Sequence, residues 1–169
     1  MASVERYLWE MSSTIDPSYD SLLRARNAVF AFDPRSVGLA PTERFPWVWA
    51  VIMDVVEEAA ASTLIVMTDG TANLVSTADG DVVGRGADPE VAAAAAALFD
   101  EVHKYLGTFP ALVDTALPAP NTAKLTVLGW HDHRGAVAEH RHIATSQHPL
   151  SAVFLAADSV VVNLRTLPT

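Results

Sequence analysis

Apolar and polar positions alternate between two kinds of pattern along this chain. Residues Ser62 to Gly84 read STLIVMTDGTANLVSTADGDVVG. Thr63 to Thr68 is a nearly uninterrupted apolar, β-favouring run, the pattern of a central strand covered on both faces. Asp69-Gly70 then signals a tight reversal. Asn73 to Thr77 reads as the return strand, and Asp79-Gly80 as a second turn before Val82-Val83. A three-strand meander is therefore predicted here.

Helical spacing dominates on both sides of it. Asp16-Pro17 is a cap-and-proline start, and Tyr19, Leu22, Leu23, Arg26 and Val29 follow at helical intervals up to a break at Asp33-Pro34. From Pro46 to about Ala61, the spacing of Trp47, Val48, Val51, Ile52, Val55, Val56 and Ala59 predicts a helix. Asp54, Glu57 and Glu58 would mark its wet side. Asp88-Pro89-Glu90 repeats the helix start, and Val91 to Leu106 reads as a long alanine-rich helix stopped by Gly107. Its packing edge is Leu98, Phe99, Val102, Tyr105 and Leu106. After the proline-rich connection 107–122, Lys124 to His131 and Ala136 to Ala144 are expected to pair as strands about a turn at Arg134-Gly135. In the last segment Val160-Val161-Val162 would suit a strand. Leu150, Val153, Phe154, Ala157, Val160, Val161 and Leu164 instead match i, i+3, i+4, i+7, which favours a helix.

The expected class is α/β (α+β), a single antiparallel or mixed sheet flanked by helices in the order helix–strands–helix–strands–helix. Residues 1–45 read as an N-terminal extension that contains a helix and packs on the main domain, 46–169. Within it Tyr7, Leu8, Trp9 and Met11 are too apolar for a free tail, and are expected to dock on the main domain or on a second copy of it.

Composition narrows the function classes. At 169 residues the chain has the length of one domain. No stretch is apolar for long enough to span a bilayer. Glu5, Arg6 and Glu10 interrupt the start where a secretory apolar core would lie, so a cytoplasmic protein is expected. The absence of cysteine removes disulfides, thiolate catalysis and Cys-based zinc sites. Acids outnumber bases 20 to 11, a formal charge of −9. Such a surface repels phosphate backbones and anionic lipid, so neither nucleic acid nor membrane is an expected partner.

Five of the six histidines, His131, His133, His140, His142 and His148, fall within 18 residues. Two His-x-His pairs on neighbouring strands suggest metal ligation, because alternate residues share a face. With a turn at Arg134-Gly135, His131 and His140 become diagonal neighbours, whereas His142 lies about 20 Å from His133. His131, His140 and His142 are the candidate ligands of zinc or another divalent metal. The plainer reading is a solvated strand face with no cofactor. Gly80, Gly84 and Gly86 fit neither dinucleotide nor phosphate-loop spacing, and Ser151 lacks a nucleophile context. Trp47 and Trp49, with Trp9, are candidate interface residues. Trp49 would fall between helix faces, as an anchor for the extension or for a partner subunit.

Two stretches, TLIVMTDGTANLVSTADGDVVG and the C-terminal SQHPLSAVFLAADSVVVNLR after ALPAP, resemble a group of uncharacterised bacterial proteins. These share a DGT turn, a Gly-rich second hairpin and an HPLS start to the last element. The resemblance spans about residues 42–166 and implies no activity. The element order also resembles roadblock (dynein light chain) and profilin-like folds, which implies a dimerising or regulatory platform without catalytic residues. The long extension and the His-rich hairpin depart from roadblock proteins. The function expected is a non-enzymatic interaction or regulatory module that binds a protein or a second copy of itself. The alternatives are a metal-binding protein or metal-dependent enzyme built on His131–His148, and an acidic immunity or inhibitor protein directed at a basic toxin.

Overall fold

A computed structural model describes residues 19–78, the backbone of 82–84, and residues 88–167. Its elements are α1 (Tyr19–Phe30), β1 (Val48–Val56), β2 (Ala61–Met67), β3 (Ala72–Ser76), β4 (Val82–Gly84), α2 (Pro89–Tyr105), β5 (Thr122–Gly129), β6 (His133–Glu139), α3 (His140–Ala144) and α4 (Ser151–Arg165). The strands form one sheet in the order β4-β3-β2-β1-β5-β6, and every pairing is antiparallel. This is the α+β class with a single antiparallel sheet flanked by helices that the sequence predicts, although the first helix of the order is α1 of the extension and not the one expected over 46–61. No helix among the described residues is long and apolar enough to cross a membrane.

The helix expected over 46–61 is instead β1, next to the centre of the sheet. Its residues are nearly all buried because helices cover both faces, so the two-residue alternation of a half-exposed strand is missing. Met53 packs toward α2 and α4, whereas Ala50 and Ile52 pack toward the opposite layer. A register shift between Val48 and Ala50 puts Trp49 on the same side as Ala50.

The larger core lies under α2 and α4. Val91, Leu98, Phe99 and Val102 of α2 meet Val153, Phe154, Val160 and Leu164 of α4 over Val51, Leu64, Leu74 and Leu125. The helix expected for the last segment is α4. Asp88 caps α2 as predicted, its carboxylate accepting from the N–H groups of Glu90 and Val91 at 3.2 and 3.3 Å.

On the other face α1 and the segment after it form a third layer. Leu22 and Ala25 pack with Val56, Ala61 and Val75. Val29 packs with Trp49, Ile52 and Met67, joined by Phe32, Val37 and Leu39. The N-terminal end of α1 therefore lies over the end of the sheet where β1 stops and β2 begins. Asp69-Gly70 turns β2 into β3 as predicted: Gly70 takes a left-handed φ of 88°, and its N–H donates to the Met67 carbonyl at 3.0 Å. The predicted turn at Asp79-Gly80 and the glycine at 86 lie outside the described residues.

Candidate binding trough at one end of the sheet

Polar side chains inside the fold are drawn together beneath α1. Asp54, expected on a wet helix face, has no exposed surface. Cross-strand pairing puts it between Thr63 and Lys124. Its carboxylate accepts from Arg26 Nε at 2.8 and 2.9 Å, from Arg26 Nη2 at 2.8 Å and from the Thr63 hydroxyl at 2.7 Å. Burial pushes the Asp54 carboxyl above the usual carboxylate range, and the Arg26 charge and the Thr63 hydroxyl offset part of that. Arg26 also donates to the carbonyls of Thr115 and Ala116. Lys124 Nζ donates to the Asp114 carbonyl and carboxylate and to the Ala116 carbonyl at 2.9 to 3.0 Å. The Asp114 carboxyl is held low, chiefly by that Lys124 hydrogen bond and by the Ala116 N–H. Every charge in this cluster has a partner, so it fastens α1 and the 114–116 segment to the sheet.

The histidines do not gather. The β5–β6 turn lies at Gly129–Asp132, closed by Gly129 N–H to the Asp132 carbonyl at 2.9 Å, and not at Arg134-Gly135. A Cβ at position 129 would sit 2.4 Å from that carbonyl oxygen, so the reversal needs glycine. His131 is thus at the hairpin tip, and His133 starts β6 opposite Leu128. His140 lies past the far end of β6, seven residues or roughly 23 Å away, and begins α3, which also carries His142. The diagonal pairing of His131 with His140 is therefore corrected. Among the described residues no three His, Cys, Asp or Glu side chains are placed to share a metal ion.

His148, in the HPLS stretch, has a structural task. Its Nδ1 accepts from the Leu150 N–H at 3.1 Å, and its ring meets Phe154 edge-on with centroids 5.7 Å apart, which fixes the entry to α4. Burial, and then the neighbouring His142, pull the His148 imidazole below its ordinary value.

Of the candidate interface tryptophans, Trp47 is 58% exposed whereas Trp49 is only 4% exposed. Trp49 sits 6.1 Å from the Phe32 ring, under the segment that follows α1, so it offers nothing to a partner. Trp9 lies outside the described residues.

What does open to the surface is the end of the sheet facing α3 and α4. One depression of about 280 Å³ is edged by polar groups, Glu57, Ser62, Ser76 and Arg165, around Ala60 and Ala61. The second, about 260 Å³, is floored by Met53, Ala123, Ile143 and Phe154, with Leu155 at its side and Glu57, His140 and Asp158 supplying polar atoms. Val55 and Glu57 line both, so the two depressions lie side by side over β3, β2, β1 and β5 and together form the candidate trough. The apolar half exists because Ala123, small and directly opposite Val55, leaves room between the sheet and α3. Ser146, at a left-handed φ of 55°, reverses the chain from α3 into α4. His140 Nε2 is shut off from solvent, with no hydrogen-bond partner among the described residues. Leu155 and Val162, two turns apart on α4, are 48% and 55% exposed and extend the apolar surface beyond the trough.

The sequence offers two signals for this region, the small residues Ala60-Ala61 and Ala123 set among larger ones. Neither is legible until β1 is known to be a strand. Comparison of the chain with protein-family models, with curated proteins and with solved structures finds no match.

Proposed function

We propose that this chain is a non-enzymatic protein-binding module of the cytoplasm, and that the trough at the end of the sheet receives an extended segment of a protein partner or of a second copy. The observation that carries this reading is the apolar half of the trough, open beside exposed Leu155 and Val162. An apolar side chain seated there would leave water, with the polar residues Glu57, His140 and Asp158 at the edge of the same depression. A volume of about 260 Å³ suits one aromatic or two aliphatic side chains better than a large cofactor. The acidic balance of the chain favours a partner segment with basic residues flanking its apolar anchor.

Selection of displayed random peptides on the full chain tests the reading. Selected peptides should share an apolar anchor, and should lose about tenfold or more in affinity on Leu155→Asp or Ala144→Trp, changes at exposed positions beside the trough. Peptides that bind both variants as well as the parent chain would place recognition elsewhere and overturn the reading.

A further inference from the structure

α4 differs from the rest of the molecule in charge. On a chain with a formal charge of −9, two copies meet most readily where like charges are not brought together. α2 carries Glu90, Asp100 and Glu101 against Lys104. The 15 residues of α4 hold one acid and one base, Asp158 and Arg165. These two are seven residues apart, about 10.5 Å along the axis and on one flank of the helix. Leu155 and Val162 share that flank, and all four side chains are exposed. The other exposed apolar residues Trp47, Val113 and Val137 lie singly elsewhere along the chain.

Acid, apolar residue and base in this order form a pattern that is its own complement when reversed. In an antiparallel pair of α4 helices, with a twofold axis passing between Val161 and Val162, Asp158 lies opposite the partner's Arg165 and Arg165 opposite the partner's Asp158. Val162 then meets the partner's Val161 at the centre, between the two ion pairs. At the 8–10 Å separation of packed helices, an arginine reaches a carboxylate across the gap, and no like charges of α4 face each other. A parallel pair in register would set Asp158 against Asp158 instead.

We infer that α4 is a self-association surface, through which two copies of this chain pair by antiparallel α4 helices held by Asp158–Arg165 ion pairs on either side of a Val161–Val162 contact. This goes beyond the docking reading, with which it shares one wall of the trough: Leu155 and Asp158 line the apolar half and Arg165 the polar half. One helix pair makes a small interface, so the dimer forms at protein concentrations on the order of 10–100 µM.

Sedimentation velocity of the full chain from about 5 to about 500 µM tests it. The parent should pass from monomer to dimer over that range. Asp158→Arg alone, or Arg165→Asp alone, sets like charges against each other and should weaken association by about tenfold or more. Mixed in equal amounts, those two variants should form a heterodimer at least as readily as the parent pairs, because each supplies the charge that the other lacks. Val162→Lys, at an exposed position lining neither depression, should also stay monomeric, and it decides the outcome if circular dichroism shows that the change at 165 impairs folding. A parent that is monomeric to the top of the range, single variants that associate like the parent, or a mixture of folded variants no more associated than its components would each overturn the inference. The displayed peptides keep the two readings apart. A monomeric parent whose trough still captures peptides sinks the helix pairing alone. A dimer that follows the charge exchange, on a chain that captures no peptide, sinks the docking reading alone.

Discussion

Arg26 occupies a position of α1 that Leu22 and Val29 mark as apolar, and the fold buries it against Asp54 with side-chain exposures of 1% and 0%. A charge on an apolar stripe is a sign of a buried partner, since an unpaired one costs too much to keep. Removing either member alone strands the other in the core. Asp54→Ala or Arg26→Ala is therefore expected to lower stability by about 3–5 kcal/mol, read as the urea midpoint. Arg26→Met with Asp54→Leu should recover most of that loss, because no charge is left uncompensated. A double variant no more stable than the single ones would show that the Arg26 hydrogen bonds to Thr115 and Ala116 carry the stability instead. His148 makes a different prediction. Its native value lies below the ordinary imidazole value, so the unfolded chain takes up the proton first. The stability it contributes is complete above about pH 6.5 and is lost as pH falls from there through the lower native value. His148→Asn retains an acceptor for the Leu150 N–H and removes the titration. The melting temperature of the variant should fall less than that of the parent between about pH 7 and pH 5.

Among the elements, legibility follows how many faces are covered and how each turn is made. β2, β3 and α2 are readable because glycine, proline or a cap punctuates them. α4 competes with a strand reading at Val160-Val161-Val162, and only its helical spacing favours the helix that forms. β1 is not readable. Val48, Val51, Ile52 and Val55, with Trp47 just before them, satisfy helical spacing by coincidence in a strand that is buried on both faces. Its reversal into β2, closed by Glu57 N–H to the Ala60 carbonyl at 2.8 Å, uses Glu-Glu-Ala-Ala with neither glycine nor proline. The β-branched content of Val48, Val51, Ile52, Val55 and Val56 was the available counter-signal. The hairpin failed for a related reason. Arg134-Gly135 looks like a turn, yet Gly135 lies within β6, paired with Thr126 on one side and donating its N–H to the Pro110 carbonyl on the other. The trough depended on both corrections, since β1 and the start of β5 form its floor. Where a signal was legible its worth can be measured. Asp88→Ala removes the acceptor at the start of α2 and should cost about 1 kcal/mol by urea denaturation, with Asp88→Ser retaining most of the difference. An unchanged midpoint for Asp88→Ala would mean that packing of Val91 and Leu98 alone fixes where α2 begins.

For the molecule as a whole, protection runs from the middle of the sheet outward. β1 is hydrogen-bonded to β2 and β5 on its two sides and is covered by α2 and α4 on one face and α1 on the other. Opening it exposes both cores at once. β6 is an edge strand, and its outer side is only partly closed. The 110–112 segment pairs with its first half through Gly135 N–H to the Pro110 carbonyl and Leu112 N–H to the His133 carbonyl, at 3.0 and 2.9 Å. Beyond Gly135 that cover ends, and Val137 is half exposed. Free edges of this kind invite pairing with other chains, and the cover by the 110–112 segment leaves only about four residues of β6 open. Native-state hydrogen exchange should therefore find the amides of Ile52, Met53 and Leu125 opening only with global unfolding, and those of Val137 and Glu139 opening at far lower free energy. Trough residues on the floor, Met53 and Ala123, should fall in the slow class, and Ile143 of the short α3 in the fast one. Such a difference would give the trough a rigid base and one yielding wall, as the proposed docking of a partner segment requires. Slow exchange throughout α3, equal to that of β1, would make the wall as fixed as the floor and leave displacement of a seated side chain without a route.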